Sequence, residues 1–371
     1  MEICSKDKCT GCGACLNICP KQCISMGTDS MGHYIPIVNT KNCIECNACV
    51  KVCPENNPVI FNEPVSCFAS WSLIEQERQT SSSGGIAAEL ATYIVNNSGV
   101  VYGCIFETPF QIIHKRIDSI DELIKLKGSK YVQSDTKETF KAVKSDLKNK
   151  REVLYIGTPC QIAGLRSFLK KEYDNLYTVD LICHGVPSIQ ILKDRLKKKV
   201  DQNLSFDSIL FRNSTSYKLS LCNSNGIVYS KSLSIDPFMK GFFCGLFNRE
   251  SCFNCQYAQA KRCADITLGD FWGIGTNNSV SYSIKDGISL VLCNSDKGKS
   301  LLSKIKENLY IEQREIKEAA TGNSQLRSPV KKRFRTKLFR KLYPVLGFDL
   351  SVFCSIPLIM IKGRIKYLFE K

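Results

Sequence analysis

The sequence predicts an α+β protein: a small cysteine-held N-terminal part, a larger α/β part with a mixed sheet, and a basic tail. Three observations predict it. The pattern Cys-x2-Cys-x2-Cys-x3-Cys-Pro occurs twice, over residues 9–20 and 43–54. "EVLYIGTPCQIAGLRSFLKK" and "LYTVDLICHGVPSIQILKDRLKKKV" each read strand, tight loop, helix, the alternation that builds an α/β layer. "FDSILFRN" and "YKLSLCNSNGIVYSKSL", turning at Asn225–Gly226, read as antiparallel strands, so the sheet is mixed. The expected boundaries are 1–62, 63–325 and 326–371.

The two cysteine runs supply eight thiolates at a spacing that suits two [4Fe–4S] cubanes, the fourth cysteine of each run crossing to the other cluster. Cys9, Cys12, Cys15 and Cys53 would hold the first, and Cys43, Cys46, Cys49 and Cys19 the second. The N-terminal part is thus read as a two-cluster ferredoxin domain. Gly11, Gly13, Ala14 and Ala48 leave room for backbone N–H groups near the sulfides, and Pro20 and Pro54 redirect the chain. Zinc usually takes two CxxC pairs across a longer gap, and disulfides need an oxidising compartment. Cys4 and Cys23 fall off the pattern and are read as ordinary thiols.

The chain has 21 cysteines, and its first residues, "MEICSKDKC", carry no apolar signal segment. Together these point to a reducing cytoplasm. The net charge of +16 is uneven: from Leu326 onward there are twelve Lys or Arg and two acids. "VKKRFRTKLFRKLYPVLGF" sets Phe334, Leu338 and Leu342 at helical spacing among cations, suited to lying on an anionic membrane surface. A solvated basic helix packed on the body and a flexible tail remain alternatives. Nucleic acid is not expected, because cluster chemistry dominates the chain. The longest apolar run of the tail, "VFCSIPLIMI", is too short to span a bilayer.

In the body, "SSSGGIAAELATYIVNNSG" reads as a helix capped by Ser83, with Ile86, Leu90, Tyr93 and Ile94 on its face and Gly99 closing it. "VVYGCIF" reads as a strand, "DELIKLKGSKYVQS" as a short helix, a turn and an extended piece, and "KETFKAVKSDLKN" as a surface helix.

A third cysteine group follows in "CFNCQYAQAKRCADITLGD". Cys252, Cys255 and Cys263 need a fourth ligand, with Cys183 preferred over Cys160 and Cys244. Cys160 and Cys183 each follow a strand, at the loop end where α/β sites gather. A third [4Fe–4S] cluster is the functional reading, with structural zinc as its rival.

Cubanes pass single electrons, whereas most organic substrates take two, so a flavin is implied as converter. No GxGxxG follows a strand. "SSSGG" opens a helix, where N–H groups and the dipole favour phosphate, although a plain cap is the simpler reading. "GTPCQ" offers Thr158 in the same way. Lys127 and Lys130 could neutralise a phosphate or a reduced flavin, or sit as surface lysines.

"SSSGGIAAEL", "VVYGCIF", "KGSKYVQS", "YIGTPCQIAGLR", "DLICHGVPS" and "CFNCQYAQAKRCADITLGDFWG" occur in this order. Over residues 1 to about 320 the chain resembles the beta subunits of coenzyme F420-reducing hydrogenase and of related formate dehydrogenases. The resemblance implies an iron–sulfur flavoprotein oxidoreductase, with FAD as the expected flavin. Ser83, Gly84 and Gly85 would hold flavin phosphate. Lys130, Thr158, Pro159, Cys160 and Gln161 would line the isoalloxazine. Cys183, Cys252, Cys255 and Cys263 would hold the neighbouring cluster, with Asp270 and Trp272 supporting it. The implied substrate is a deazaflavin coenzyme. Similar chains found beside surface-polysaccharide genes suggest instead a lipid-linked glycan intermediate. A ferredoxin or redox partner subunit would exchange electrons with the clusters. The other reading is an electron-transfer module without a substrate of its own.

Overall fold

The computed structural model describes residues 1–202, 204–213, 216–276 and 279–369. The last two residues of the tail lie outside the described residues.

The N-terminal part contains α1 (Ala14–Ile18), a hairpin of β1 (Ile24–Thr28) and β2 (Tyr34–Val38), and α2 (Ala48–Lys51). The two cysteine runs fold alike. Gly13 and Asn47, each just ahead of its helix, take the left-handed conformation, at φ 82° and 57°. At Gly13 glycine is required on a second ground: a Cβ there would lie 2.2 Å from Oγ1 of Thr136.

The body comprises β3 (Ser66–Ser72), α3 (Glu75–Thr80), α4 (Ile86–Asn96), β4 (Val100–Thr108), β5 (Gln111–Ile117), α5 (Thr139–Lys148), β6 (Val153–Gly157), α6 (Pro159–Leu169), β7 (Leu176–Leu181) and α7 (Ile189–Asp201). β8 (Ser208–Asn213), β9 (Ser216–Asn223), β10 (Gly226–Ser232) and α8 (Pro237–Phe243) follow. β11 (Ile266–Asp270), β12 (Ser289–Cys293), α9 (Asp296–Lys304), β13 (Leu309–Gln313) and α10 (Ile316–Gly322) complete it.

Eight strands form the main sheet in the order β13-β3-β12-β11-β7-β6-β4-β5. β4, β6, β7 and β11 run parallel at its centre, and antiparallel strands flank them. This is a mixed sheet in an α/β layer. β6 and β7 are almost wholly buried, which is why "VLYIG" and "LYTVDL" read as apolar runs rather than alternations. β8, β9 and β10 form a separate antiparallel sheet turning at Asn225–Gly226.

α1 packs against α5 and α6, and Ala14 and Val52 share one core with Phe140, Val143, Tyr155 and Ile162. The N-terminal part is therefore seated on the layer that carries "GTPCQ".

The tail follows the alternative of basic helices packed on the body. α11 (Phe334–Ser355) bends at Gly347, just after Pro344, and α12 (Pro357–Phe369) follows at 72°. Phe339, Phe348, Val352, Ile356 and Met360 are buried among Phe238, Phe242 and Phe247 beside the small sheet. Arg340 donates to Glu250 and to the carbonyl of Asn248, and Lys332 also pairs with Glu250.

The expected Ser83 cap is corrected. Gly85, at φ 88°, precedes α4, with no side-chain cap. Ile86, Leu90 and Ile94 are buried as read, Tyr93 is half-buried, and the helix ends at Asn96 before Gly99.

Candidate redox site

The first cysteine group gathers where the N-terminal part meets α6. Cys15 lies within electrostatic reach of Cys12, Cys9 and Cys53, and Cys12 within reach of Cys160, Cys53 and Cys9. Cys4 hydrogen-bonds to Cys53 and Cys9, so it is no detached thiol. The bond from Cys4, helped by the Arg249 charge, brings Cys9 down to about 6 against its burial. The same partner brings Cys53 down to about 7. Burial pushes Cys12 up to about 12.

Cys19, Cys43, Cys46 and Cys49 line a second hollow of about 330 Å³, together with Cys23. Cys23 stands 3.4 Å from Cys19, sulfur to sulfur. Cys53 thus lies with the first group and Cys19 with the second. Among the described residues no three side chains stand at metal-bonding geometry. Cys4 bonds with Cys9 and Cys53 instead, and Cys19 with Cys23. Converging thiols, Cys9 and Cys53 among them lowered from the ordinary value, are a donor set that iron–sulfur clusters fit.

The third group lines a cleft of about 780 Å³ between the two parts. Thr158 begins α6 with a reciprocal cap: its backbone N–H donates to Oε1 of Gln161 at 2.9 Å. This fixes Cys160 in the first turn. Cys183 lies two residues beyond β7, and Cys252 and Cys255 come from a tight turn begun by Glu250. All four line the cleft. Burial pushes Cys160 up to about 12, with Cys255 and Cys252 adding to it. Burial also raises Cys183, with Cys252 and Cys160 adding.

Cys263 does not line the cleft, although it stands within electrostatic reach of Cys160 and shares one core with Cys160 and Cys255. It is buried under the first turn of α6, where its thiol donates to the carbonyl of Pro159 at 3.6 Å. Arg262 bridges Asn62 through both backbone groups, which holds Cys263 beneath that turn. The structure therefore brings Cys160 to Cys183, Cys252 and Cys255, in the place where the sequence reading set Cys263. Cys244 is not on the cleft.

Cys12 stands between the first group and the cleft. A Cβ on Gly164 of α6 would lie 2.9 Å from the Cys12 sulfur, so only glycine admits this approach. Arg249, buried and on the cleft, donates to the carbonyl of Cys9 at 2.6 Å and to Oε1 of Gln133 at 3.0 Å. Sequence reasoning missed Arg249 and Arg262; their one signal was position, beside the cysteines at 252 and 263. It also missed His184, whose ring packs on Trp272 at 5.2 Å and lines the cleft. Asp270 instead binds Arg212, at 2.6 and 3.2 Å, and ties the main sheet to the small one.

Of the eight residues expected around a flavin, only Pro159 and Cys160 reach the cleft. The loops carrying Ser83 and Lys130 do meet: the N–H of Ser129 donates to Ser82 at 2.8 Å. Ser83 keeps a buried hydroxyl with no partner. That orphan and the amides opening α4 fit a phosphate. Gly84 has its own structural reason, since a Cβ would lie 2.4 Å from the carbonyl of Ser70. Lys130 donates to the carbonyls of Lys125, Leu126 and Lys127, and burial brings it down to about 8. Lys127 pairs with Glu77.

Below this lies a buried polar chain. Gln161 donates to Ser134 at 3.0 Å, Ser134 meets Nδ1 of His114 at 3.1 Å, and Nε2 of His114 meets the carbonyl of Ile156. Burial holds His114 down at about 4 against its ordinary 6.5. The unfolded chain takes up this proton near pH 6.5 and the folded chain only near 4. Stability tied to the neutral ring is therefore full above pH 6.5 and falls between 6.5 and 4, by about 3 kcal/mol. His114→Gln should flatten that slope in urea midpoints measured across the range; an unchanged slope would clear His114.

Residues 150–319 match the family described as the C terminus of the coenzyme F420 hydrogenase/dehydrogenase beta subunit, and residues 8–57 match the 4Fe-4S dicluster domain. Among solved structures, a chain of the F420-reducing [NiFe] hydrogenase complex from Methanosarcina barkeri, in a xenon-derivatized form, is similar. The identity is 17%, over 82% of this chain and 91% of that one, with a TM-score of 0.48. No curated protein matches.

Proposed function

We propose a three-cluster, flavin-dependent oxidoreductase, from the match of residues 150–319 to the coenzyme F420 hydrogenase/dehydrogenase beta-subunit family and of residues 8–57 to a 4Fe-4S dicluster domain. It would work in a reducing cytoplasm, between a ferredoxin or partner subunit and an organic two-electron substrate. The coarser statement stands on its own: this is an iron–sulfur electron-transfer protein of oxidoreductase type.

The observation that carries the proposal is the placement of Cys12, packed on α6 within reach of Cys160. Cys9, Cys12, Cys15 and Cys53 hold one [4Fe–4S] cluster, and Cys19, Cys43, Cys46 and Cys49 the other. Cys160, Cys183, Cys252 and Cys255 hold the third, and Cys263 is released from that role. Arg249 fixes the Cys9 backbone and offsets negative charge between the first and third centres. Ser83, Gly84, Gly85 and Thr158 contribute the phosphate end of an FAD site, with Lys130 and Gln161 behind its ring. Bound there, flavin supplies the exchange between single electrons and electron pairs. The substrate class is a deazaflavin coenzyme or a lipid-linked glycan intermediate.

A second reading has its own observation. Lys130 is engaged by three carbonyls and Gly84 by Ser70, so both residues also serve the apo fold. The chain would then relay electrons to a partner without a substrate of its own.

Anaerobic reconstitution with iron, sulfide and flavin separates these. About twelve irons per chain with bound FAD is the expected result, and about eight irons without flavin would overturn the proposal. Reduced protein that binds flavin yet passes no electrons to deazaflavin or nicotinamide coenzymes would favour the relay.

A further inference from the structure

The tail helix α12 has three distinct faces. Met360 and Gly363 are buried against the body, where Gly363 sits beneath the carbonyl of Ser234 and the side chain of Lys240. Leu358, Ile361, Ile365 and Leu368, spaced three, four and three residues apart, form one stripe on the outer side. Leu358 is 70% exposed and Leu368 73%. Phe369 continues the stripe at 87%. By helical position Arg364 borders it on one side and Lys362 and Lys366 on the other, all three exposed. No acid lies on α12. On α11, Val345, Leu346 and Leu350 are exposed next to the bend, with Lys337 and Lys341 on the preceding turns.

An apolar stripe this exposed is costly in water. Its cationic borders specify the occupant, because a neutral protein groove offers them nothing, whereas an anionic lipid surface takes both components at once. A surface arrangement suits the packing better than a crossing. Among the described residues no single helix is long and apolar enough to cross; α11 and α12 together pass only by length and composition, and they are bent by 72°. Phe339, Phe348 and Val352 of α11 are committed to the core.

We propose that the outer face of α12, extended by the bend of α11, docks the protein in the plane of an anionic membrane surface. Leu358, Ile361, Ile365 and Leu368 enter the headgroup–acyl boundary, and Lys362 and Arg364 contact acidic headgroups. The body then stands on the lipid through the same helices that close its aromatic core. A substrate carried in that lipid would be presented to the protein without leaving the membrane.

The test uses the iron-loaded full-length protein and flotation with vesicles. Wild type is expected to float with phosphatidylglycerol–phosphatidylcholine vesicles and not with phosphatidylcholine alone, and to be released as salt rises from about 0.1 to about 0.5 M. L358D/I365D is expected to lose at least about tenfold in partition, with iron content and circular dichroism unchanged. K362E/R364E should lose the preference for anionic vesicles while retaining iron. Equal binding to both vesicle types, or an unaffected L358D/I365D, would overturn the proposal. So would a lipid-free dimer of the wild type that L358D/I365D abolishes, since the face would then meet a second copy of the chain. None of these readouts depends on flavin or on turnover, so their failure is distinct from a failure of the redox reading.

Discussion

Cys160→Ser should lower the iron of the reconstituted protein from about twelve to about eight per chain, while Cys263→Ser should leave it near twelve. The contrast follows from where the two sulfurs sit. Cys160 opens the first turn of α6, on the cleft shared with Cys183, Cys252 and Cys255. Cys263 is 2% exposed and spends its thiol on the carbonyl of Pro159. Its replacement by serine therefore costs packing, on the order of 1 kcal/mol. Iron and sulfide analysis with electron paramagnetic resonance of the reduced protein reads both variants. Loss of four irons in Cys263→Ser with retention in Cys160→Ser would reverse the assignment.

Arg262→Met should destabilise the fold by about 3–5 kcal/mol, the usual cost of stranding one partner of a buried ion pair. Arg262 is 2% exposed and its partner Asp180, at 3.0 Å, is fully buried. Burial raises the Asp180 carboxyl even with the guanidinium beside it. Neither carboxylate oxygen has a well-aligned hydrogen bond, so the Arg262 charge is its principal compensation. Arg262 also donates to the carbonyls of Tyr257 at 2.9 Å and Leu181 at 3.1 Å, joining the chain after Cys255 to the end of β7 just before Cys183. Urea denaturation measures the loss. Adding Asp180→Asn to Arg262→Met should recover part of it, because the stranded charge goes with the carboxylate. No recovery would mean that the carbonyl contacts, not the ion pair, carry the effect.

The parts of the fold that sequence showed were those governed by local chemistry. Cysteine spacing set the N-terminal runs, apolar continuity set β6 and β7, and Asn225–Gly226 set the hairpin. The parts that escaped depend on partners distant in sequence. Ser83 looked like a cap because serine caps helices, but Gly84 presses against Ser70 and the cap position of α4 falls at Gly85. Cys263 looked like a ligand because it follows a CxxC; its contact with the carbonyl of Pro159, 104 positions away, is not legible locally. Cys160 looked like a flavin contact, since nothing local reveals that α6 delivers it to Cys183 and Cys252. The basic tail read as surface because its cations outnumber its buried aromatics, yet Phe339 and Phe348 alternate with them into the core.

α11 also bears on how the cleft is held. Its Arg340, with Lys332 just ahead of it, grips Glu250, the residue that begins the turn bearing Cys252 and Cys255. Arg249, one residue earlier, ties the same turn to the carbonyl of Cys9. The turn is thus clamped from both ends of the sequence, so a substitution in the tail reaches the cleft without touching a cysteine.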